Sequence, residues 1–187
     1  MRIDAGNHKG VKLAAPEGRD TRPTSDRARQ ALFNILVHAH DAIRDAKVLD
    51  AFAGAGALGL EALSRGAGRL TLIENDRAAG EAIKRNIAAC REQSNARLFA
   101  ADVLRPPQAS VDAWAPCSLI FLDPPYGKNL VPPALIALRD AGWIAPDALI
   151  VAETDRRDTL EPPPGFETID DRHYGKARII LLRAQPV

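Results

Sequence analysis

Cysteine is scarce in this sequence: there are two, Cys90 and Cys117, far apart and in no C-x-x-C pair. That excludes a disulfide framework and a cysteine zinc site, fits a reducing compartment, and leaves both thiols as small core residues. Long apolar runs are missing too. Uncharged stretches such as residues 113–122 fall well short of the ~20 residues of a membrane span, and Met1-Arg2-Ile3-Asp4 opens no signal peptide. The expectation is a soluble, cytoplasmic protein with no membrane partner. Net charge is nearly absent, with 25 Lys and Arg against 24 Asp and Glu, which speaks against a chain that coats itself with nucleic acid. There is no internal repeat and no low-complexity tract.

What is present is an ordinary globular composition, 46% hydrophobic and 26% charged over 187 residues, which rules out disorder, collagen and coiled coil. A chain of this length buries roughly 70% of its unfolded surface, so one core forms without staples. The near-zero charge conceals a gradient. Residues 1–30 carry seven basic side chains, among them Arg2, Lys9, Lys12, Arg19 and Arg22, against four acidic ones, a local +3 that leaves −2 for the rest. Residues 1–23, with Gly6, Gly10 and Gly18 between short apolar patches, read as a basic arm or small β-hairpin too short to fold alone. Residues 24–187 read as the main domain.

From Ser25 the apolar residues Ala28, Ala31, Leu32, Ile35, Leu36 and Ala39 recur at helical spacing, with Thr24 or Ser25 as cap. His38 and His40 suit the end of that helix, where a cation meets its dipole. Short apolar runs then alternate with helical stretches. Strands are expected at 47–51, 69–74, 96–101, 118–123 and 148–153, and helices at 58–64, 77–91 and 130–141. Strands apolar on both faces with helices between them indicate a parallel, doubly wound α/β sheet. The end differs, because 166–170 and 177–183 are strands joined by too few residues for a crossover and must pair antiparallel.

Two constellations carry chemistry. In the first, a strand runs through Asp50 and Phe52 into Gly54-x-Gly56-x-x-Gly59 and a helix, with Glu74 some twenty positions on, followed by Asn75. Glycines let the backbone approach a ligand, and a carboxylate at Glu74 can take both hydroxyls of a ribose. A dinucleotide would set its pyrophosphate at the helix N-terminus, beside which Asp50 is unwelcome. S-adenosylmethionine has no phosphate and carries a sulfonium and an ammonium, so Asp50 favours it. Asp102 ends the third strand and suits either the adenine amine or a helix cap.

The second constellation is Asp123-Pro124-Pro125-Tyr126 after the apolar run 119–122. The prolines remove two backbone donors, so the turn offers carbonyl oxygens and one carboxylate. An acceptor-only pocket suits an exocyclic -NH2, and Tyr126 can stack on the base that bears it. No His, Cys or carboxylate spacing suggests a metal. Trp114 and Trp143 read as packing residues, and His173, Tyr174 and Lys176 as a hairpin turn that an RNA could touch.

The D-P-P-Y turn after V-L-D-x-F-A-G-x-G-x-L-G resembles the amino-directed S-adenosylmethionine-dependent methyltransferases. The opening Thr21-Arg22-Pro23-Thr24 and the run Gly59-Leu60-Glu61-Ala62-Leu63-Ser64-Arg65-Gly66 narrow the resemblance to the bacterial 16S ribosomal RNA guanine-N2 methyltransferases. It implies a Rossmann-like, seven-stranded, mostly parallel sheet with an antiparallel last strand. It also implies transfer of a methyl group to the N2 amine of a guanine in 16S rRNA, within an assembling 30S subunit, by a monomer. Arg2, Lys9, Lys12, Arg19 and Arg22 are then the candidates for gripping phosphates. The stretch after Tyr126, Gly127-Lys128-Asn129-Leu130, departs from any fixed pattern. The alternatives are a DNA adenine-N6 or cytosine-N4 methyltransferase, for which little chain remains as a target-recognition region, an NAD-dependent oxidoreductase, and a non-catalytic RNA-binding assembly factor.

Overall fold

The structure, a computed structural model, describes residues 1–16 and 26–186, the side chains of 26 and 27 excepted. Arg19 and Arg22, and the expected caps Thr24 and Ser25, lie outside the described residues. The chain order is α1 (Asp26–His38), β1 (Lys47–Ala51), α2 (Ala57–Ser64), β2 (Arg69–Glu74), α3 (Arg77–Cys90), β3 (Ala96–Ala100), a short 3-10 turn (Val111–Ala113), β4 (Cys117–Leu122), α4 (Val131–Asp140), β5 (Ile144–Asp155), β6 (Phe166–Tyr174) and β7 (Ala177–Ala184). The seven strands form one sheet in the order β3-β2-β1-β4-β5-β7-β6. β1 to β5 pair in parallel and β7 pairs antiparallel with both β5 and β6, so β7 alone is reversed. This is the Rossmann-like arrangement expected of the sequence.

Side chains alternate across the strands, and each face of the sheet has its own core. On one face Val48, Leu70, Leu72, Leu119, Phe121, Leu149 and Val151 pack against Leu32, Phe33 and Leu36 of α1, Leu60 and Leu63 of α2, and Ile83 and Ile87 of α3. On the other, Leu49, Ile73, Ile120, Leu122 and Ile150 meet Leu135 and Leu138 of α4 and the fully buried Trp143. Trp143 is a packing residue as expected, its indole N–H donating to the Pro107 carbonyl at 2.8 Å. Trp114 lies instead under two guanidinium groups, Arg97 at 4.4 Å and Arg69 at 5.5 Å from its ring. Both cysteines are buried.

Two expectations need adjusting. β5 begins at Ile144, four residues early, because Ile144 already pairs with Cys117; the strand is then irregular until the register resumes with Leu149 beside Leu119. β6 continues to Tyr174, so His173 and Tyr174 are strand residues and only Gly175 and Lys176 form the turn. The N-terminal segment is the small antiparallel hairpin expected, with Arg2 bridged to Lys12 and hydrogen bonds from Ile3 N–H to the Val11 carbonyl, Gly10 N–H to the Ile3 carbonyl and Leu13 N–H to the Met1 carbonyl, and it docks on the domain. Ile3 and Leu13 enter the core, and the backbone is held from outside by Glu61 of α2, only 1% exposed. That carboxylate accepts from Asp4 N–H at 2.7 Å, Ala5 N–H at 3.1 Å and Arg65 Nε at 2.6 Å. Asn86 of α3 makes the next tie, exchanging hydrogen bonds with both backbone groups of Ala14 and donating to the Ala55 carbonyl at 2.8 Å. The arm therefore runs from the far end of α2 up to the glycine loop.

Candidate active site

In a parallel sheet the strand ends converge on one edge, and the residues that end the central strands here are acidic. Asp50 belongs to the same parity as Val48, Glu74 to that of Leu72, and Glu153 to that of Val151, residues that all face α1 to α3. Leu122 pairs with Ala152 and Ala51, so Asp123 follows beside Glu153 and one step above Asp50. Four carboxylates thus gather at the C-terminal edge, where ligands bind in open α/β sheets.

Their environments differ. Asp50 is 2% exposed and its Oδ2 accepts the Gly59 N–H at 2.9 Å, an anion placed against the first turn of α2. Burial pushes its carboxyl up to about 7, with the Gly59 hydrogen bond pulling back and the Glu74 charge adding to the rise. Glu74, 7% exposed, accepts from Gly54 N–H and Asp76 N–H, both at 2.8 Å. Each oxygen keeps a lone pair, so the carboxylate is both the brace of the loop and a free acceptor pair.

The loop itself is bent by three left-handed residues in succession along the chain, Phe52 (φ 62°), Gly54 (φ 56°) and Gly56 (φ 76°). The two glycines do different jobs. A Cβ on Gly56 would come within 2.9 Å of Leu72 Cδ2, whereas one on Gly54 would meet nothing within 4 Å. Gly56 lets helix and strand close together; Gly54 leaves clear space beside Glu74. A ribose diol with an adjoining cationic group fits that donor set, a carboxylate pair facing an open, unobstructed turn. Phe52 is half-buried beside it. Asn75 is exposed just beyond Glu74, and Asp102 is exposed with Oδ1 accepting the Leu104 N–H at 3.0 Å. Asp102 therefore caps a turn and retains a second oxygen.

At the end of β4 the prolines turn the chain outward. Burial, then the charges of Glu153 and Asp50, holds the Asp123 carboxyl well above the usual carboxylate range. Tyr126 is 42% exposed and donates its hydroxyl to Glu153 Oε1 at 2.5 Å; burial and that bond push its phenol up. Glu153 is 6% exposed. Between this turn and the segment after β5 lies a shallow, open depression walled by Pro124, Pro125, Tyr126, Leu130, Glu153 and Leu160, among others.

Sequence reasoning missed Glu153, although the signal was there: a carboxylate closes the apolar run of β5 as Asp50 and Glu74 close theirs. It also missed Glu61, the one charge in the otherwise apolar α2. Arg2, Lys9 and Lys12 are all exposed. Lys9 lies in the turn where Asn7 N–H donates to the Ser64 carbonyl, at the far end of α2, so it sits away from the carboxylates. Among the described residues no group of His, Cys, Asp and Glu could hold a metal ion, and no helix is long and apolar enough to cross a membrane.

Comparison with known proteins follows the same lines. The model of the family described as conserved hypothetical protein 95 matches residues 1–183. The ribosomal RNA small subunit methyltransferase D of Escherichia coli (strain K12) is 40% identical over 164 residues, 88% of this chain and 79% of that protein. Its namesake in Haemophilus influenzae is 34% identical over 179 residues, 94% of this chain and 89% of that one. A solved Escherichia coli structure superposes with a TM-score of 0.84 at 36% identity, covering 99% of this chain and 98% of its own.

Proposed function

The chain belongs to the conserved hypothetical protein 95 family, and from that premise we propose that it transfers a methyl group from S-adenosylmethionine to the N2 amine of a guanine in small-subunit ribosomal RNA. The relatives named as small subunit rRNA methyltransferases, which align over nearly all of this chain, support methylation of ribosomal RNA. The choice of an exocyclic amine rests on one observation: the Asp123-Pro124-Pro125-Tyr126 turn offers acceptors beside an open depression and next to the carboxylate-lined glycine loop.

Glu74, Gly54 and Asp50 are the residues that would hold S-adenosylmethionine, which when bound would supply the methyl group and a positive charge. The rest falls to this chain's residues. Asp123 and the Pro124 carbonyl accept the two amine hydrogens, drawing a delocalised, weakly nucleophilic nitrogen towards tetrahedral geometry. Positive charge grows on that nitrogen as the bond forms, so these acceptors hold it more strongly at the transition state than before it. Aligning amine and methyl contributes several kcal/mol, roughly 7 to 11 at most. Burial and the neighbouring carboxylates raise the Asp123 carboxyl, which makes it a better acceptor for the departing proton than an ordinary carboxylate. Tyr126 stacks on the base, which must be unpaired or flipped outward to reach it.

The basic arm, tied to the glycine loop through Asn86, supplies Arg2, Lys9, Lys12, Arg19 and Arg22 to grip phosphate. The substrate is an assembling small subunit and the enzyme a monomer. The test is to incubate the protein with labelled S-adenosylmethionine and immature small subunits, bare 16S rRNA or DNA, and to digest the product to nucleosides. N2-methylguanosine from the subunits is the expected outcome. Label in DNA alone, or none on any RNA, overturns the reading.

A further inference from the structure

The glycine loop is made of residues that bend easily, and a loop that bends freely holds a ligand poorly. Ala55 stands between Gly54 and Gly56, whose φ angles are 56° and 76°. Rotating the peptide between Ala55 and Gly56 changes chiefly ψ of the first and φ of the second, and glycine accepts either sign of φ. Two ties from outside the loop hold it in one form. Glu74 accepts the Gly54 N–H at 2.8 Å, and Asn86 of α3 donates to the Ala55 carbonyl at 2.8 Å.

Asn86 is 1% exposed, and the same amide reaches the N-terminal arm. Its Oδ1 accepts the Ala14 N–H at 2.7 Å and its Nδ2 donates to the Ala14 carbonyl at 3.0 Å. One planar group therefore spans the arm and the loop, with its oxygen and both of its N–H bonds engaged. Turning the amide over to suit one segment breaks its contacts with the other. An arm that lifts takes away the partners that aim Asn86 and leaves a buried amide to find others, at the expense of the bond to Ala55.

Resting on the proposed seat of the cofactor over this loop, we propose that Asn86 is a positioning residue that couples the docking of the N-terminal arm to the affinity for S-adenosylmethionine: Ala14 aims the amide, and the amide locks the Ala55 carbonyl in the form that binds. The bound cofactor acts back on the arm by the same factor, because coupling between two sites is reciprocal. The cofactor site is complete only while the arm lies in place.

The test needs a variant that loosens the arm without altering the loop or Asn86. Leu13, next to Ala14 and buried in the core, supplies one. Leu13→Ala and Asn86→Ala are each expected to weaken S-adenosylmethionine binding by about tenfold in calorimetry, the size of one lost hydrogen bond and of a binding-competent loop populated about a tenth of the time. The double variant is expected to bind no more weakly than Asn86→Ala alone, since the arm acts through Asn86, whereas two merely structural losses would add. Hydrogen exchange gives the reciprocal readout. Saturating S-adenosylmethionine is expected to slow exchange of the Ile3 and Leu13 amides, which donate to the Val11 and Met1 carbonyls, by about tenfold in the wild type and not in Asn86→Ala. Losses that add, a Leu13→Ala affinity equal to wild type although its arm exchanges faster, or wild-type arm amides unmoved by the cofactor each overturn the assignment of Asn86 and leave methyl transfer standing. The last outcome is read on the wild type alone, so it decides even where Asn86→Ala does not fold. Wild-type protein that binds no S-adenosylmethionine overturns the parent reading and this one with it.

Discussion

Replacing Asp50 by asparagine should make the protein more stable at high pH and worse at holding its cofactor. In the folded chain this carboxyl is pushed up to about 7, chiefly by burial, while in the unfolded chain it titrates near 3.8, the ordinary value. Between those two values the folded state keeps a proton that the unfolded state has lost. Stability contributed by a protonated Asp50 is therefore present at low pH and is lost as pH rises towards 7. At ~1.4 kcal/mol per unit, the loss between pH 5 and pH 8 is about 3 kcal/mol. In a domain of this size that corresponds to roughly 6 to 12 °C of melting temperature. The side chain introduced by Asp50→Asn cannot ionise, yet its amide oxygen can still accept the Gly59 N–H that Asp50 takes at 2.9 Å. Thermal unfolding of both proteins across pH 5 to 8 reads this group together with the part of the Asp123 rise that the Asp50 charge causes, the rest of that rise being common to both. The wild type should lose the extra stability and the variant should not. Equal losses in the two proteins would show that Asp50 titrates in the ordinary range and refute the reasoning. Calorimetry should then show weaker binding of S-adenosylmethionine by the variant at pH 8, where the wild-type carboxylate faces the cation.

Three further outcomes are expected. Binding of S-adenosylmethionine to wild-type protein at pH 6 should release protons, since a cation beside Asp50 lowers its pKa. Titration in buffers of different ionisation enthalpy measures this, and Asp50→Asn should reduce the release. Asp123→Ala should cut methyl transfer by on the order of 100- to 1,000-fold, as losing one preorganised transition-state contact does, while cofactor binding stays largely intact; single-turnover assays with labelled cofactor decide. Glu61→Ala strands the Asp4 and Ala5 N–H groups and the Arg65 guanidinium, at a cost of about 3 to 5 kcal/mol, and should expose residues 1–16 to limited proteolysis.

How much of this was legible in the sequence depends on whether the signal is local. The glycine turn, the strand ends at Asp50 and Glu74 and the Pro-Pro turn are each written in a few neighbouring residues, so the site could be read before the fold. Even the reversed strand was legible, because a connection too short for a crossover leaves only antiparallel pairing. The docking of the arm was not. It depends on Glu61 and Asn86 meeting backbone groups 56 and 72 residues away, and nothing local in residues 1–14 marks those partners. Glu153 fell between the two cases. Its position at a strand end is local, but its meaning comes from Tyr126, 27 residues earlier, and from β4 and β5 lying side by side.

The same contacts explain why a chain with almost no net charge can serve an anionic partner. A uniformly basic protein would place cations near the cofactor site and weaken the hold on a sulfonium. Here the acidic groups are drawn to one edge of the sheet by strand parity, and the charges of Glu153 and Asp50 make Asp123 harder to ionise there. Part of that cost is relieved only when a cation or an amine arrives, so the folded chain carries a bias towards its ligands. The exposed Lys9 is held at the far end of α2, apart from this edge, by an arm that Glu61 and Asn86 fasten to α2 and α3. Separation of the two charges, rather than their sum, is what the proposed function requires of one small domain that is to attract phosphate on its flank and hold positive charge in its cleft. On this argument, adding a basic residue beside Glu74 should weaken cofactor binding, measured by calorimetry, more than removing one from the arm weakens the hold on RNA.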